Sequence, residues 1–186
     1  MLRIVLFFVL SAGIAYVSRA SLRKPSSHGF YRFFAWELLL ALLFLNFISI
    51  DQWFGDPFSI RQLFSWFFLA ASAVPALLAV HLLTTIGRPD TRQREDEILI
   101  GLEKTTRLVT TGVYKHIRHP IYCSLCLLAW GVFLKNTSWA GSVAALGATA
   151  FLLATARFEE KENVLYFGTA YEDYMRRTKS FIPFCY

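Results

Sequence analysis

Cysteine is scarce in this chain, with three among its 186 residues, and this excludes a fold held together by a framework of disulfides. Cys123 and Cys126 are spaced as C-x-x-C, but they fall inside an apolar run without histidine or acidic residues that could complete a metal site. We therefore expect two small buried thiols rather than a redox or metal centre. No metal ligands are predicted elsewhere in the chain.

Glycine-rich nucleotide-binding loops are also missing. No predicted strand–turn–helix segment carries a G-x-G-x-x-G pattern, which argues against a soluble enzyme of the Rossmann type. Internal repeats and low-complexity segments are absent as well, so the chain is not a solenoid or a disordered linker.

Apolar residues, in contrast, are abundant. Hydrophobic residues make up 55% of the chain and aromatic residues 17%, and the mean hydropathy is +0.44, which is typical of a membrane protein rather than a soluble core. Two of the five apolar stretches reach the roughly 18–20 residues that a bilayer demands. We predict an all-α integral membrane bundle of about five transmembrane helices with a cytoplasmic C-terminal helix, forming one domain over 1–186. The predicted spans cover about 1–18, 33–50, 62–83, 114–135 and 137–156.

The first apolar stretch has two interpretations. A single arginine followed by a short apolar run fits a signal peptide, whereas the next apolar segment follows so soon that a retained span is favoured. We therefore expect residues 1–20 to be retained as the first span.

Basic residues are concentrated in three of the segments that flank these spans. The connections 19–32 and 84–120 and the tail 157–186 hold 16 of the 19 Lys and Arg residues. By the positive-inside rule these segments are cytoplasmic, which places the N-terminus outside and the C-terminus inside. The net charge of +6 then reflects topology and attraction to anionic membrane lipids, and nucleic acid is not an expected partner.

The polar groups that could carry chemistry lie in two predicted cytoplasmic segments, 104–122 and 157–184. In the first, Pro120 fits the first turn of a helix, so that Arg118 and His119 lie at a helix N-terminus that favours anions. In the second, Glu159 and Glu160 continue from the fifth span, although an ordinary solvated helix surface would look the same. Acid, base and aromatic groups at one interface suit a soluble cofactor that meets a lipidic substrate.

Two motifs in these segments resemble a known family. The sequence LVTTGVYKHIRHPIY at 108–122 resembles the signature L-V-x-x-G-x-Y-x-x-x-R-H-P-x-Y of the isoprenylcysteine carboxyl methyltransferase family, a version of which membrane phospholipid methyltransferases share. The sequence EEKENVLYFGTAYEDYMRRTKSFIPF at 159–184 resembles that family's second signature, E-E followed by F-G-x-x-Y-x-x-Y and a closing I-P. Both occur in the family's order, separated by two predicted spans.

The resemblance implies a helical membrane enzyme that uses S-adenosylmethionine to methylate a lipidic or prenylated acceptor, with carboxyl O-methylation the favoured reaction. Our mechanistic hypothesis makes Arg157 and Glu159 the catalytic residues, the first to orient a carboxylate acceptor and the second as a base for an amine or thiol. The residues implied in cofactor binding are Thr106, Arg107, Leu108, Val109, Tyr114, His119, Pro120, Ile121, Tyr122 and Glu160.

Three departures from the family pattern are visible. Ser124 stands where the family often has glycine, and Asn163 stands where leucine is common. The prenylcysteine enzymes carry an arginine four residues before the first glutamate, where this chain has Thr155, and the nearest arginine is Arg157. This departure weakens the case for a prenylcysteine carboxylate as the substrate.

Two rival functions stay open from the sequence. Membrane sterol-type reductases, which use NADPH, share the R-H-P-x-Y pattern and an aromatic C-terminus, but they characteristically have asparagine where this chain has Ile121, and they lack the acidic pair. A non-enzymatic membrane protein that retains the fold is the other alternative, and it would bind neither cofactor.

Overall fold

The structure is a computed structural model that describes residues 1–90, 92 and 96–181. Within these residues it contains α-helices and short helical turns but no strands, which confirms the predicted all-α class. The last residues of the second motif, among them Ile182 and Pro183, lie outside the described residues. The helices are α1 (Leu2–Val17), α2 (Arg19–Leu22), α3 (His28–Ile48), α4 (Ile60–Leu82), α5 (Pro120–Lys135), α6 (Trp139–Phe167) and α7 (Thr169–Arg177).

Three of these helices are long and apolar enough to cross a membrane: α3, α4 with its extension to Gly87, and α6. The helices α1 and α5 are apolar but only 16 residues long each. Together they form an integral membrane helical bundle. The helix boundaries differ from the predicted spans chiefly at three places: α3 begins already at His28, α5 begins only at Pro120, and α6 continues without a break to Phe167.

The helices α4 and α5 form the closest pair of the bundle. An ideal Cβ on Gly131 would lie 3.0 Å from the backbone nitrogen of Leu69, so the two backbones nearly touch. Hydroxyl groups join the helices as well: Ser65 Oγ donates to the carbonyl of Gly131 at 2.6 Å, and Ser124 Oγ donates to that of Ser72 at 2.6 Å. Small residues and hydroxyl-to-backbone bonds are the usual means of association in lipid.

The helix α6 packs against α3 and α5 through a core that is rich in alanine. Ala144, Ala145 and Ala148 are buried against Leu39 and Leu42 of α3. A second cluster closer to the C-terminal end of α6 contains Ala35, Tyr122, Leu152, Ala156 and Phe181. The C-terminal segment of the chain therefore returns to the same end of the bundle at which α5 begins.

The connection after α4 folds back on the end of that helix. The helix widens into a π-helical turn over Leu83–Gly87, and Arg88 then adopts a left-handed conformation with φ of 45°. The carbonyl of Gly87 accepts hydrogen bonds from the backbone of Thr106 at 3.1 Å and Arg107 at 3.2 Å. Residues 104–109 are thereby fixed beside the end of α4, near the start of α5.

The opposite end of the bundle carries a buried cation. Lys135, at the end of α5, is fully buried, and its Nζ donates to Gln62 Oε1 at 2.8 Å and lies 3.1 Å from the centre of the Trp66 ring. Arg61 donates to the carbonyl of Lys135 at 2.8 Å and so caps the end of the helix. These contacts join α4 and α5 far from the first turn of α5.

We predict that Gly131→Ala lowers the free energy of unfolding by about 1–3 kcal/mol, because the new methyl group must push the backbone of Leu69 away. The measurement is unfolding of the purified protein in detergent. Gly13→Ala is the matched control, since a Cβ at Gly13 meets nothing within 4 Å. Equal stability of the two variants would contradict the close approach of α4 and α5.

Candidate active site

A cavity of about 540 Å³ lies at the end of the bundle where α5 begins. Its wall is formed by α3, the end of α4, the connection 100–109, the first turns of α5, the C-terminal half of α6, and α7. This volume is within the range of small-molecule sites, about 300–1,000 Å³. The two motif segments, which are far apart in sequence, meet across it.

Most of the site residues predicted from the sequence line this cavity. They are Arg107, Leu108, Val109, Tyr114, His119, Pro120, Ile121, Tyr122 and Glu159. Three others do not line it. Thr106 donates its hydroxyl to the carbonyl of Arg88 at 2.9 Å, Glu160 faces the C-terminal segment, and Arg157 is an exposed residue of α6.

His119 is the residue that joins the two motifs. It precedes Pro120 at the N-terminal cap of α5, and its imidazole is buried between the two glutamates of α6. Its Nε2 lies 3.1 Å from Oε1 of Glu160, and its Nδ1 lies 3.6 Å from Oε2 of Glu159. Burial by itself lowers the pKa of His119, but the hydrogen bonds to the two carboxylates raise it, and the net shift is upward, so the cationic form is favoured.

Tyr122 completes this group from the first turn of α5. Its ring stacks on the imidazole of His119 with a centroid distance of 5.4 Å and an angle of 13°, and it lines the cavity together with Glu159. Glu159 therefore lies on the cavity wall beside His119 and Tyr122, paired with the imidazole. A fixed negative charge in a partly enclosed site favours a cationic ligand group.

Glu160, the next residue of α6, contacts Arg118 as well as His119. Arg118 Nε donates to Oε1 of Glu160 at 2.7 Å, and its Nη1 donates to the carbonyls of Met175 at 3.2 Å and Thr178 at 2.5 Å. Ser180 Oγ is 3.3 Å from the same carboxylate oxygen. Glu160 therefore supports the site from behind, through His119 and the C-terminal segment.

Backbone hydrogen bonds also hold the C-terminal segment against the first motif. The amide of Arg118 donates to the carbonyl of Lys179 at 2.8 Å, and the amide of His119 donates to that of Ser180 at 3.1 Å. The hydroxyl of Tyr174 donates to the carbonyl of Tyr114 at 2.7 Å. The first motif and the segment after α7 thus form one layer over the end of the bundle.

Aromatic rings cover the side of the cavity formed by α6 and α7. Tyr171 stacks on Phe167 at 6.3 Å between ring centres, and both line the cavity together with Tyr114 and Tyr174. Burial raises the pKa of Tyr114 and that of Tyr171 above the usual range for tyrosine, so the hydroxyls remain neutral. Asn163, one of the departures from the family pattern, lines the cavity on the same side.

The structure also brings to the cavity a group that sequence reasoning missed. Arg32 and Trp36 of α3 line it, as does Glu103 from the connection after α4. Arg32 forms an ion pair with Glu103, and its Nη2 donates to the carbonyl of Ile98 at 3.1 Å. Arg32 was assigned to a basic connection because no motif includes it, and its partner lies 71 positions away.

His28 anchors this second group to α6. Its Nδ1 is 2.5 Å from Oε2 of Glu162, and its backbone amide donates to Oε1 of the same residue at 2.9 Å. Burial raises the pKa of Glu103, but the hydrogen bond to His28 and the charge of Arg32 lower it, and the net direction is downward. Glu103 is therefore a carboxylate, and the α3 side of the cavity is built on charge pairs.

The expected carboxylate-binding position is not part of the cavity wall. Thr155 is fully buried, with its hydroxyl donating to the carbonyl of Phe151 at 2.7 Å. Arg157 is on the exposed side of α6, away from Glu159, because two residues turn a helix by about 200°. Among the described residues, Arg32 is the buried arginine that lines the cavity.

We predict that Arg118→Met detaches the segment after α7, because it removes the ion pair with Glu160 and leaves the carbonyls of Met175 and Thr178 without their side-chain donor. The expected loss is about 1–3 kcal/mol in the free energy of unfolding, with faster tryptic cleavage after Lys179. Lys115→Met removes the same charge from an exposed position of the same motif and serves as the control. If both variants are cleaved as slowly as the wild type, Arg118 does not hold this segment.

Comparison with known proteins places this architecture in a family. A family model described as phospholipid methyltransferase matches residues 76–170, just over half of the chain, including the first motif and the acidic pair. No solved structure gives a significant match.

Individual relatives are similar over parts of the chain. A methanethiol S-methyltransferase of Crocosphaera subtropica is 27% identical over 167 residues, covering 87% of this chain and 62% of the relative. Methanethiol S-methyltransferase 2 of Bradyrhizobium diazoefficiens is 35% identical over 75 residues, or 40% of this chain and 28% of the relative. The nickel-cobalt-cadmium resistance protein NccN of Alcaligenes xylosoxydans xylosoxydans is 35% identical over 88 residues, or 46% and 40% of the two chains.

The matches with these relatives span less than two thirds of each relative's length. The family assignment depends instead on the match to the family model, which contains both halves of the His119–Glu159 pair. With the helical membrane bundle and this match, the chain belongs to the phospholipid methyltransferase family.

Proposed function

We propose that the protein is an S-adenosylmethionine-dependent methyltransferase that methylates the sulfur of a lipophilic thiol. The observation that carries the proposal is the carboxylate of Glu159 on the cavity wall, paired with His119 and lying beside an aromatic wall. Membership of a methyltransferase family supports the reaction type, and the names of several relatives support sulfur as the methyl acceptor.

The described residues fit the proposed cofactor. When bound, S-adenosylmethionine supplies a methyl group activated by a sulfonium. Glu159 offers a negative charge for its cationic groups, and Arg107 offers a positive charge for its carboxylate. The rings of Tyr171 and Phe167 offer faces for the sulfonium or the adenine. Glu160 contributes indirectly, by holding His119 and Arg118 in place.

In this proposal the chain acts mainly by positioning. Glu159, paired with His119, orients the cofactor, and the apolar wall of Ile121 and Leu125 excludes water from the reacting groups. In this proposal Glu159 contacts the cofactor and does not act as the base, because the thiol reacts as a thiolate. The thiol needs no covalent attachment to the protein.

Carboxyl O-methylation is the second candidate. It loses the support of Arg157, which lies outside the cavity, but the buried cation of Arg32 in the cavity wall favours an anionic acceptor of either kind. The reductase and the non-enzymatic alternatives gain no support from the family match.

We further propose that the cavity opens to the cytoplasm, with the N-terminus outside, and that membrane lipids and not nucleic acids surround the protein.

For the cofactor, we predict that the purified protein binds S-adenosylmethionine and not NADPH. Glu159→Gln weakens this binding at least about tenfold, because one charge-assisted contact is lost. Glu172→Gln, an exposed change on α7, leaves it unaltered. Calorimetric titration in detergent measures both. Undiminished binding by the Glu159 variant would refute the role of this residue, and NADPH binding would favour a reductase.

For the acceptor, we predict that methyl groups from labelled S-adenosylmethionine are transferred to butanethiol, giving a volatile thioether. The parallel reaction contains a prenylated cysteine with a free carboxylate as the competing acceptor. Base-labile methyl ester as the sole product would overturn thiol methylation in favour of the carboxylate. Transfer to neither acceptor, despite cofactor binding, would exclude both.

A further inference from the structure

A buried arginine on α3 forms part of the cavity wall and belongs to neither motif. Arg32 is 1% exposed, and its three nitrogen donors differ in their hydrogen-bond partners. Nη1 is paired with Glu103 and Nη2 with the carbonyl of Ile98, whereas Nε has no hydrogen-bond partner among the residues that the structure describes. A buried donor without a partner is costly in a protein, so a ligand that accepts from this arginine would lower the free energy of the site.

Trp36 lies one turn further along α3 and continues the same wall. The guanidinium carbon of Arg32 is 5.1 Å from the centre of its ring, and both residues line the cavity. Their neighbours at this depth include Leu125 of α5. The α3 side of the cavity thus combines one cation with apolar and aromatic surface, which suits an acceptor with an anionic head and a lipophilic body.

We propose that Arg32 is a specificity-determining residue that binds the anionic sulfur of the acceptor. This rests on the proposed thiol methyltransferase function. Arg32, Tyr122 and Glu159 line the same cavity. An anion held by Arg32 would therefore share this cavity with the donor's cationic groups at Glu159.

The reaction needs such a counter-charge. The thiol first loses its proton to water at the mouth of the cavity, and the sulfur electron pair then forms a bond to the methyl carbon. The bond between that carbon and the donor sulfur breaks, and its electron pair stays on the donor sulfur, which becomes neutral. An arginine within about 4–6 Å lowers the pKa of an acid by roughly 1–3 units, so Arg32 would increase the fraction of bound thiolate near neutral pH.

Other arginines of the described part of the chain suit this role less well. Arg118 is engaged by Glu160 and by two backbone carbonyls. Arg107 lines the cavity but is an exposed residue just before the first motif, and Arg157 is exposed and outside the cavity. Arg32 alone among these four combines burial, a place in the wall and a donor without a partner.

Several charged or titratable groups face Arg32 or its surroundings and enter any pH dependence. Glu103 neutralises it directly, and His28 and Glu162 lie behind that pair. Among the described residues these groups are His28 on α3, Glu103 and Arg107 in the connection, Tyr122 on α5, and Glu159 and Glu162 on α6. The rest of the cavity wall adds Tyr114, Arg118, His119, Tyr171 and Tyr174. Only substitutions at Arg32 and Glu103 change the pair itself, and they change the local charge in opposite directions.

The test measures bound thiolate without turnover. Protein in detergent is loaded with S-adenosylhomocysteine, which has no methyl group to transfer, and is titrated with pH in the presence of butanethiol, while ultraviolet difference absorption follows the thiolate. The expected midpoint lies below that of butanethiol in protein-free micelles. Arg32→Gln raises the midpoint by about one pH unit or more, and Glu103→Gln lowers it. Arg23→Gln, an exposed charge loss on the residue that follows α2, leaves it unchanged.

Each contrary result has a definite meaning. If Arg32→Gln and Glu103→Gln both abolish butanethiol binding, or move the midpoint in the same direction, Arg32 only fastens the connection to α3 and the proposal fails. It fails equally if Arg157→Gln produces the shift instead. If Arg32→Gln does not fold, Arg32→Lys, which keeps the charge, and Glu103→Gln still decide the sign. Binding of S-adenosylhomocysteine is measured for the wild type and for every variant. Absence of binding by the wild type would refute the proposed function, whereas normal binding without the expected midpoint shifts would refute only the role of Arg32.

Discussion

Charged side chains that are buried at the end of an apolar bundle must find opposite charges within the protein, because the low dielectric leaves an unpaired ion very costly. His119 between Glu159 and Glu160 meets this requirement on the α5 side of the cavity. Arg32 and His28 with Glu103 and Glu162 meet it on the α3 side. The rest of the structure at this end, including the fold-back after α4 and the return of the C-terminal segment, serves to bring these partners together.

The helix α6 is the element that both groups share. Its continuation to Phe167 carries three glutamates past the apolar core, and each points to a different partner: Glu159 to the cavity, Glu160 to Arg118, and Glu162 to His28. Since neighbouring positions on a helix differ by about 100° in direction, three carboxylates within one turn reach three separate elements. The ends of α3, α5 and α7 are therefore positioned relative to one another by a single rigid helix.

Much of the fold and half of the site could be predicted from the sequence. Long apolar stretches identified the membrane helices, and the local order of His119, Pro120 and Tyr122 identified the residues that surround the start of α5. Arg157 was predicted to orient the acceptor, but its two-residue spacing from Glu159 already places the two side chains on different sides of a helix. The structure accordingly leaves Arg157 outside the cavity. Arg32 could not be found in this way, because its pairing with Glu103 joins segments 71 positions apart and no local pattern marks it.

This difference between the two sides has a consequence for specificity. The side formed by α5, α6 and α7 carries the residues of both motifs and is the proposed place of the methyl donor, whose structure is the same for every acceptor. The helix α3, with Arg32 and Trp36, precedes the part of the chain that the family model matches, whereas Glu103 lies within that part; none of the three belongs to a motif. On the proposed function, the motif side binds the donor and α3 belongs to the acceptor side, so substitutions on α3 would alter the choice of acceptor more than the binding of the donor.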